Sequence, residues 1–312
     1  MEAYIEPVDQ NPKNGPDKVT QHTEAINRQT FLQKLKSYKR NPFSLILMLL
    51  VSISALMTML TLIFLIVYIL AKGIPYLTAD LFAWEYNSEN VSLMPAMINT
   101  VVMVFLSLLI AAPLGIFAAI YLVEYAKRGN KLVEVIRVTA ETLSGIPSIV
   151  YGLFGFLLFA VTFGWSYTIL GGALTLAIMI LPLIMRTTEE ALKSVPDSYR
   201  EGSYGLGAGR LRTVFCIVLP PAMPGILSGI ILAIGRIVGE TAALMYTAGT
   251  VAGIPENLFG SGRTLAVHMY VLTNEGLYTN QAYATAVVLL VIVVCINAFS
   301  ARVAKLVTGK RG

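Results

Sequence analysis

Two charged residues, Arg236 and Glu240, stand in the middle of a long apolar run that covers roughly residues 217–248. Every other charged residue lies in a terminal tail or in a loop between apolar runs. A charge at membrane depth costs about 2.5–3.5 kcal/mol by insertion scales, so it usually has a function or a partner. The planar guanidinium of arginine matches the oxygens of phosphate and stays charged in a low dielectric. The sequence therefore indicates an oxyanion contact at Arg236.

The spacing of this pair leaves other roles open. On one continuous helix, Arg236 and Glu240 are four residues apart and can form an ion pair that faces a neighbouring helix. Alternatively, the Glu240 carboxylate can accept a hydrogen bond from a protonated anion and repel an unprotonated one such as sulfate. It can also simply orient Arg236. We expect both residues to line a substrate pathway, with the ion pair as the alternative.

Transmembrane helices are the elements that must position this pair. The chain is 56% hydrophobic and only 13% charged, whereas a soluble domain carries about 25% charge. A spanning helix needs about 20 apolar residues. Six runs meet or approach that length, at roughly 43–71, 93–122, 146–163, 168–185, 217–248 and 282–301. The predicted fold class is an all-α integral membrane protein with six transmembrane helices.

Lysine and arginine are distributed unevenly among the connecting segments. Twenty of them lie in the two tails and in loops 123–145 and 186–216, whereas the remaining loops contain only Lys72 and Arg263. The positive-inside rule therefore predicts that both termini are cytoplasmic, which agrees with an even number of spans. The basic residues form no basic face, so nucleic acid is not an expected partner.

A polar, glycine-rich stretch, REGSYGLGAGRLRTVFCIVLP at 200–220, separates the fourth and fifth apolar runs on the predicted cytoplasmic side. Pro196 favours a short helix that begins near Asp197, and Gly205, Gly207 and Gly209 are expected to end it. Such a helix can dock a cytoplasmic partner. It can also belong to an ordinary structured loop in which Ser198 and Glu201 form a capping box.

The same stretch resembles the coupling loop of permease subunits in ATP-binding-cassette importers. That family has E-A-A, then G after three residues, then I-x-L-P after nine more. Here Glu201, Gly202 and Ser203 are followed at matching spacing by Gly207, Ile217, Leu219 and Pro220. Gly202 and Ser203 replace the two alanines, and both are small. The resemblance implies a helix that seats in a groove of a separate ATPase, with Glu201, Gly202, Ser203 and Gly207 as its coupling residues.

Further segments resemble PstA-type phosphate permeases, over about residues 70–305. They are AAIYLVEYA, LSGIPSIVYGLFG, VPDSYREGSYGLGA, GRIVGETAAL and TLAVHMY. The resemblance implies a bacterial cytoplasmic-membrane permease that imports inorganic phosphate. Its implied partners are a PstC-like sister permease, a dimer of ATP-binding subunits and an extracytoplasmic phosphate-binding protein. The alternative is a permease for another small solute, such as molybdate, sulfate or an amino acid.

Small and helix-breaking residues suggest two further features. Gly225, Gly229 and Ala233 have the four-residue spacing of tight helix packing, and we expect them to contact the sister permease. The third apolar run opens with a candidate gating kink, which is formed by Gly145, Pro147 and Ser148. Proline and glycine are also simply common in spanning helices, so an ordinary kink is the alternative.

The predicted domain layout follows from these assignments. It comprises a polar tail with a basic juxtamembrane helix (1–40), a first transmembrane helix (41–72), a five-helix permease core (93–305) and a C-terminal tail (306–312). The sequence contains no G-x-x-x-x-G-K-[ST] phosphate-binding loop. ATP hydrolysis would therefore require another subunit, and we do not expect this chain to be an enzyme. Neither histidine and neither cysteine belongs to a ligand cluster, and no metal or cofactor is expected.

Overall fold

The computed structural model describes residues 42–127 and 129–309, and this part of the chain consists of helices and loops without a strand. The predicted tail 1–40 and residues 310–312 lie outside the described ranges. In chain order the helices are α1 (Pro42–Gly73), α2 (Met94–Ile120), α3 (Lys131–Ser144), α4 (Ser148–Gly155), α5 (Ile169–Lys193), α6 (Asp197–Gly205), α7 (Arg210–Val238), α8 (Ala242–Thr247), α9 (Leu265–Glu275) and α10 (Thr279–Gly309).

The chain divides into two compact units, Met1–Phe64 and Leu65–Gly312. The described part of the first unit is the larger portion of α1. Its apolar side chains are exposed at nearly every position, and none of the most apolar window of α1 is buried. A helix that is apolar all around and unburied is typical of a lipid-facing span.

Five helices of the described chain are long and apolar enough to cross a membrane: α1, α2, α5, α7 and α10. A sixth span exists only if α3 and the α4 segment, which bend by 103° relative to each other, count as one. The predicted third run corresponds to α4 and a π-helical extension, Phe156–Thr162. Gly145 and Pro147 lie at the bend itself and Ser148 begins α4, so the predicted kink separates two helices instead of bending one.

Helix α5 is the centre of the second unit, since 67% of its most apolar window is buried, far more than in any other candidate span. Both α2 and α7 pack on it through small residues. A Cβ on Gly225 would lie 2.6 Å from Ala191 Cβ, and one on Gly229 would overlap the Thr187 side chain. The expectation that this stripe contacts a sister permease is therefore wrong for both glycines, because their side of α7 packs against α5 of the same chain.

Helix α7 differs from the predicted fifth run at both ends. It begins at Arg210, seven residues before the apolar run, and passes through a π-helical segment, Val214–Val218, just before Pro220. Wider helical turns beside proline are expected, because proline has no N–H and clashes with the preceding turn. The helix ends at Val238, so the prediction of one helix through residue 248 is wrong; a break precedes the short helix α8.

Glycines bring α4 into direct contact with α8 and α5. A Cβ on Gly152 would lie 2.8 Å from Ala243 Cα, and one on Gly155 would overlap the side chains of Thr175 and Thr247. Approach of this kind is possible only where a residue lacks a side chain. The two segments Gly145–Gly155 and Gly239–Thr247, which are separate in sequence, thus form one packed layer.

Arg263 and His268 are buried around the Tyr86 ring, at the end of the helices away from α6. Arg263, just before α9, is 4% exposed and its guanidinium carbon lies 4.7 Å from the centre of the Tyr86 ring. His268 is fully buried and meets the edge of the same ring. Burial, and secondarily the Arg263 charge, lower the pKa of His268 to about 3, and the nearby Val91 backbone offsets this only partly.

This low pKa predicts a loss of stability in mild acid. The folded-state pKa lies below the unfolded value of about 6.5, so the stabilisation is complete above pH 6.5 and is lost as pH falls towards 3. At pH 5 the loss is about 2 kcal/mol. We expect His268→Phe to flatten the fall in thermal unfolding temperature between pH 7.5 and 5. The control His22→Phe, which removes the other histidine, keeps the wild-type response; equal curves for all three proteins would contradict the assignment.

Candidate coupling surface and translocation site

Helix α6 lies between the end of α5 and the start of α7, and Arg200 anchors its inner side. The Arg200 guanidinium donates to Glu124 Oε1 through Nη2 at 2.7 Å and Nε at 3.1 Å. It also donates to the carbonyl oxygens of Val195 (2.8 Å) and Leu192 (2.9 Å). The Glu124 side chain is only 4% exposed. One side chain therefore ties α6 to the ends of α2 and α5.

The Arg200–Glu124 pair was not among the residues predicted from sequence. Hydrogen bonds with the Glu124 carboxylate raise the pKa of Arg200 above its ordinary value, more than burial lowers it. Glu124 occupies a π-helical turn, Tyr121–Tyr125, that extends α2. Such turns often occur at functional positions, but no local pattern in the sequence links two residues that are 76 positions apart.

Two of the predicted coupling residues shape the loop from within. Ser203 is buried and its hydroxyl lies 2.8 Å from that of Thr213, at the start of α7. Gly207 adopts the left-handed conformation, with φ at +81°, and its N–H donates to the Tyr204 carbonyl at 2.9 Å. The predicted short helix from Asp197 and its glycine stop are both confirmed.

The other two coupling residues, Glu201 and Gly202, face outwards and are exposed. A Cβ on Gly202 would meet no atom within 4 Å, so packing inside the chain does not require glycine there. Helix α6 has no side-chain cap, and the capping box of Ser198 with Glu201 is not formed. The same surface exposes apolar side chains, among them Tyr199 (53%), Leu206 (90%) and Leu211 (68%). Small, apolar and acidic groups are thus available to a partner.

A second ionic link supports this end of the bundle. Glu189 of α5 lies 2.7 Å from Arg137 of α3 and 2.6 Å from Lys193. The Glu189 side chain is 9% exposed, so this carboxylate is nearly buried between its two cations. A groove of about 1000 Å³, lined by charged residues of α3 and α6, opens beside it. This ionic link joins α3 to the end of α5 that leads into α6.

Arg236, in the last turn of α7, faces an open cavity of about 560 Å³. The cavity is lined by Leu183, Ser228, Ile231, Leu232, Gly235, Arg236 and Asn297. Arg236 is half-buried and forms no ion pair within the described ranges. A cation is favourable at a helix C-terminus because of the helix dipole. The guanidinium charge is therefore available to an anion in the cavity.

Glu240 is not part of an ion pair with Arg236, so the predicted alternative is wrong. The helix ends between them, and Glu240 Oε1 accepts a hydrogen bond from the Ala243 N–H at 3.1 Å. Glu240 is 9% exposed and does not line the Arg236 cavity. A carboxylate at this position satisfies the backbone and the dipole at the start of α8. The Glu240 carboxylate caps the first turn of α8, and its place on a substrate pathway stays a prediction.

The structure places the predicted residues in two separate regions. The coupling residues lie at one end of α7 and Arg236 at the other, about 39 Å apart along the helix at 1.5 Å per residue. The kink residues Gly145, Pro147 and Ser148 lie nearer Arg236, because the neighbouring Ile146 and Tyr151 pack in the same apolar cluster as Ala233 and Ile237 of α7. The Tyr151 hydroxyl donates to the Leu143 carbonyl at 2.8 Å and joins the two sides of the bend.

Residues 111–309 match the family described as the inner membrane component of binding-protein-dependent transport systems. The chain belongs to this permease family. Its relatives include the phosphate transport system permease protein PstA 1 of Mycobacterium tuberculosis, which is 38% identical over 69% of this chain and 71% of its own length. The PstA protein of Haemophilus influenzae is 30% identical over 86% of this chain and 96% of its own length. These relatives identify the permease as PstA-type.

Solved structures agree on the fold. A permease chain of a bacterial alginate importer, in complex with a periplasmic protein, matches with a TM-score of 0.64 and 18% identity over 88% of this chain and 97% of its own. A chain of an inward-facing methionine importer matches with a TM-score of 0.56 and 22% identity, over 69% and 94%. The permease is therefore an all-α, multi-pass protein of the bacterial inner membrane with the importer-permease fold.

The anchoring role of the buried Arg200–Glu124 pair can be tested by stability. Glu124→Ala leaves a buried guanidinium without its charge partner, which costs about 3–5 kcal/mol. The matched change Glu190→Ala breaks an exposed pair with Arg186, which is worth at most about 1 kcal/mol. We expect a large fall in the thermal unfolding temperature of the purified permease for Glu124→Ala alone. Similar falls in both variants would contradict the anchoring role.

Proposed function

We propose that this permease forms one half of the pathway by which an ATP-driven importer moves inorganic phosphate into the cytoplasm. The observation that carries the proposal is the unpaired Arg236 guanidinium at membrane depth, beside a cavity large enough for a small solute. Arginine recognises tetrahedral oxyanions through paired N–H donors. The names of the PstA relatives agree with this substrate. The distribution of lysine and arginine supports cytoplasmic termini.

The α6 surface is the proposed contact with a separate ATP-binding subunit. Glu201 and Gly202 face outwards from a helix whose inner side is fixed by Arg200 and Ser203. An open glycine allows a partner to approach the backbone closely. Because α6 leads directly into α7, displacement of this surface by a dimer of ATP-binding subunits would move the helix that carries Arg236.

The pathway requires a second permease. The Arg236 cavity is open on one side, and a solute at membrane depth needs polar surroundings on all sides. We propose that a PstC-like sister chain closes the cavity. An extracytoplasmic phosphate-binding protein would then deliver substrate at the opposite end from α6, where α9 and its preceding loop lie. The bend at Gly145, Pro147 and Ser148 is a proposed hinge, and Glu240 would act there by holding α8 against α4.

Replacement of Arg236 tests the substrate pathway. In the assembled complex, Arg236→Gln removes the charge that attracts the anion, and we expect phosphate uptake to fall about 10- to 150-fold, as for a lost hydrogen bond to a charged group. ATP hydrolysis and assembly should remain. The matched control Arg302→Gln changes an exposed arginine at the far end of α10 and should transport normally. Normal uptake by Arg236→Gln would reject the pathway role.

The same assay distinguishes the substrate. Unlabelled phosphate should compete with labelled phosphate, whereas sulfate, molybdate and amino acids should not. Competition by one of these solutes, with no uptake of phosphate, would replace the proposed substrate with the alternative and leave the transport role intact.

Replacement of Gly202 tests the coupling surface. Leucine at this position meets no atom of the same chain within 4 Å of its Cβ, so the permease should fold. A partner seated closely on α6 would be displaced, and we expect Gly202→Leu to lose co-purification with the ATP-binding subunit. Gly253→Leu, at another open glycine in the loop before α9, is the matched control for co-purification alone, because that loop lies on the proposed binding-protein side. Intact assembly and transport in Gly202→Leu would mean that α6 is not the contact.

A further inference from the structure

The cavity beside Arg236 has a second polar wall. Asn297 of α10 lines the same cavity, as does Ser228 of α7. Asn297 is exposed although it stands within a strongly apolar helix, and its amide makes no hydrogen bond within the described part of the chain. An amide at membrane depth is unfavourable unless it meets a partner. The cavity that it shares with Arg236 is where such a partner can bind.

An amide supplies the acceptor that an oxyanion site built on arginine lacks, together with one more neutral donor. Its oxygen accepts a hydrogen bond and its nitrogen donates one, and neither adds charge. The Ser228 hydroxyl already donates to the Pro224 carbonyl at 2.9 Å, so only its lone pairs remain for the cavity. Glu240 does not line this cavity, so its carboxylate is not placed to act as the acceptor there.

We propose that Asn297 contacts the transported oxyanion. In this arrangement, which rests on the proposed function, Arg236 holds the anion, Asn297 Nδ2 donates to one of its oxygens, and Asn297 Oδ1 accepts from a protonated oxygen. The Ser228 oxygen offers a second acceptor. The site therefore favours a tetrahedral oxyanion that keeps a proton near neutral pH, as phosphate does, over sulfate, which does not.

The test uses phosphate uptake by the assembled complex. Asn297→Leu removes both hydrogen bonds, and we expect the maximal uptake rate to fall about 10- to 100-fold. The half-saturating phosphate concentration should not change if a separate protein captures the substrate. Asn297→Gln keeps both groups and should retain most of the rate. Asn280→Leu, at an exposed asparagine near the start of the same helix, is the matched control and should transport normally.

Asn297→Asp separates a substrate contact from a structural one. An aspartate would pair with Arg236 and cancel the charge that attracts the anion. If Asn297 contacts substrate, this variant assembles normally and takes up less phosphate than Asn297→Leu. Wild-type transport by Asn297→Asp would show that residue 297 is close neither to Arg236 nor to the anion, and would overturn the inference.

Two other outcomes would also overturn the inference. Normal uptake by Asn297→Leu shows that the amide is not needed, and failed co-purification with the sister permease shows that Asn297 is an interface residue. The Arg236→Gln variant distinguishes these results from failure of the proposed function. If Arg236→Gln loses uptake and Asn297→Leu transports normally, only the Asn297 contact is rejected. If both variants transport normally, the proposed pathway itself is rejected.

Discussion

Every backbone N–H and C=O group in the hydrocarbon region of a bilayer must find a partner inside the protein, and this requirement governs the structure at the break after Val238. The N–H groups of Gly239 and Glu240 close the last turn on the carbonyls of Gly235 and Ile237, at 3.3 and 3.1 Å. The Glu240 carboxylate then satisfies the start of α8, which packs on the glycines of α4. Because the Glu240 carboxylate binds the α8 backbone and not Arg236, it does not neutralise the guanidinium one turn earlier. The Arg236 charge is therefore available to an anion in the cavity.

The same helix connects this charge to the surface proposed to contact the ATPase. Helix α7 runs from Arg210 to Val238 without a gap, and its first turn is joined to α6 through the hydroxyls of Ser203 and Thr213. Arg200 fixes α6 to Glu124 and to the end of α5. A force applied to α6 therefore acts on buried, charged hydrogen bonds that yield less readily than exposed pairs. Under the proposed function, this continuity would carry a displacement of α6 to the cavity near the other end of α7.

The sequence predicted the local features well and the long-range ones poorly. The coupling helix could be located because its pattern lies within twenty residues and its glycines act on their own backbone. The end of α7 could not be predicted, since apolar residues continue past Gly239 and glycine is common in spanning helices. The Arg200–Glu124 contact depends on how α2 and α5 pack, which no local spacing records. Asn297 was not singled out from the sequence, because a single amide in an apolar run has no second polar residue at a characteristic spacing.

The anion affinity of the proposed site depends mainly on one guanidinium, that of Arg236, which forms no ion pair in the described part of the chain. One pair of unit charges at 4 Å is worth about 1 kcal/mol in water and about 4 kcal/mol at an effective dielectric constant of 20. Millimolar binding corresponds to about 4 kcal/mol, so Arg236 with neutral hydrogen-bonding neighbours gives weak retention. Had Glu240 paired with Arg236, even this attraction would be lost. A weak site can release its anion to the cytoplasm, and tight capture must then occur on a separate protein, as expected for a binding-protein-dependent permease.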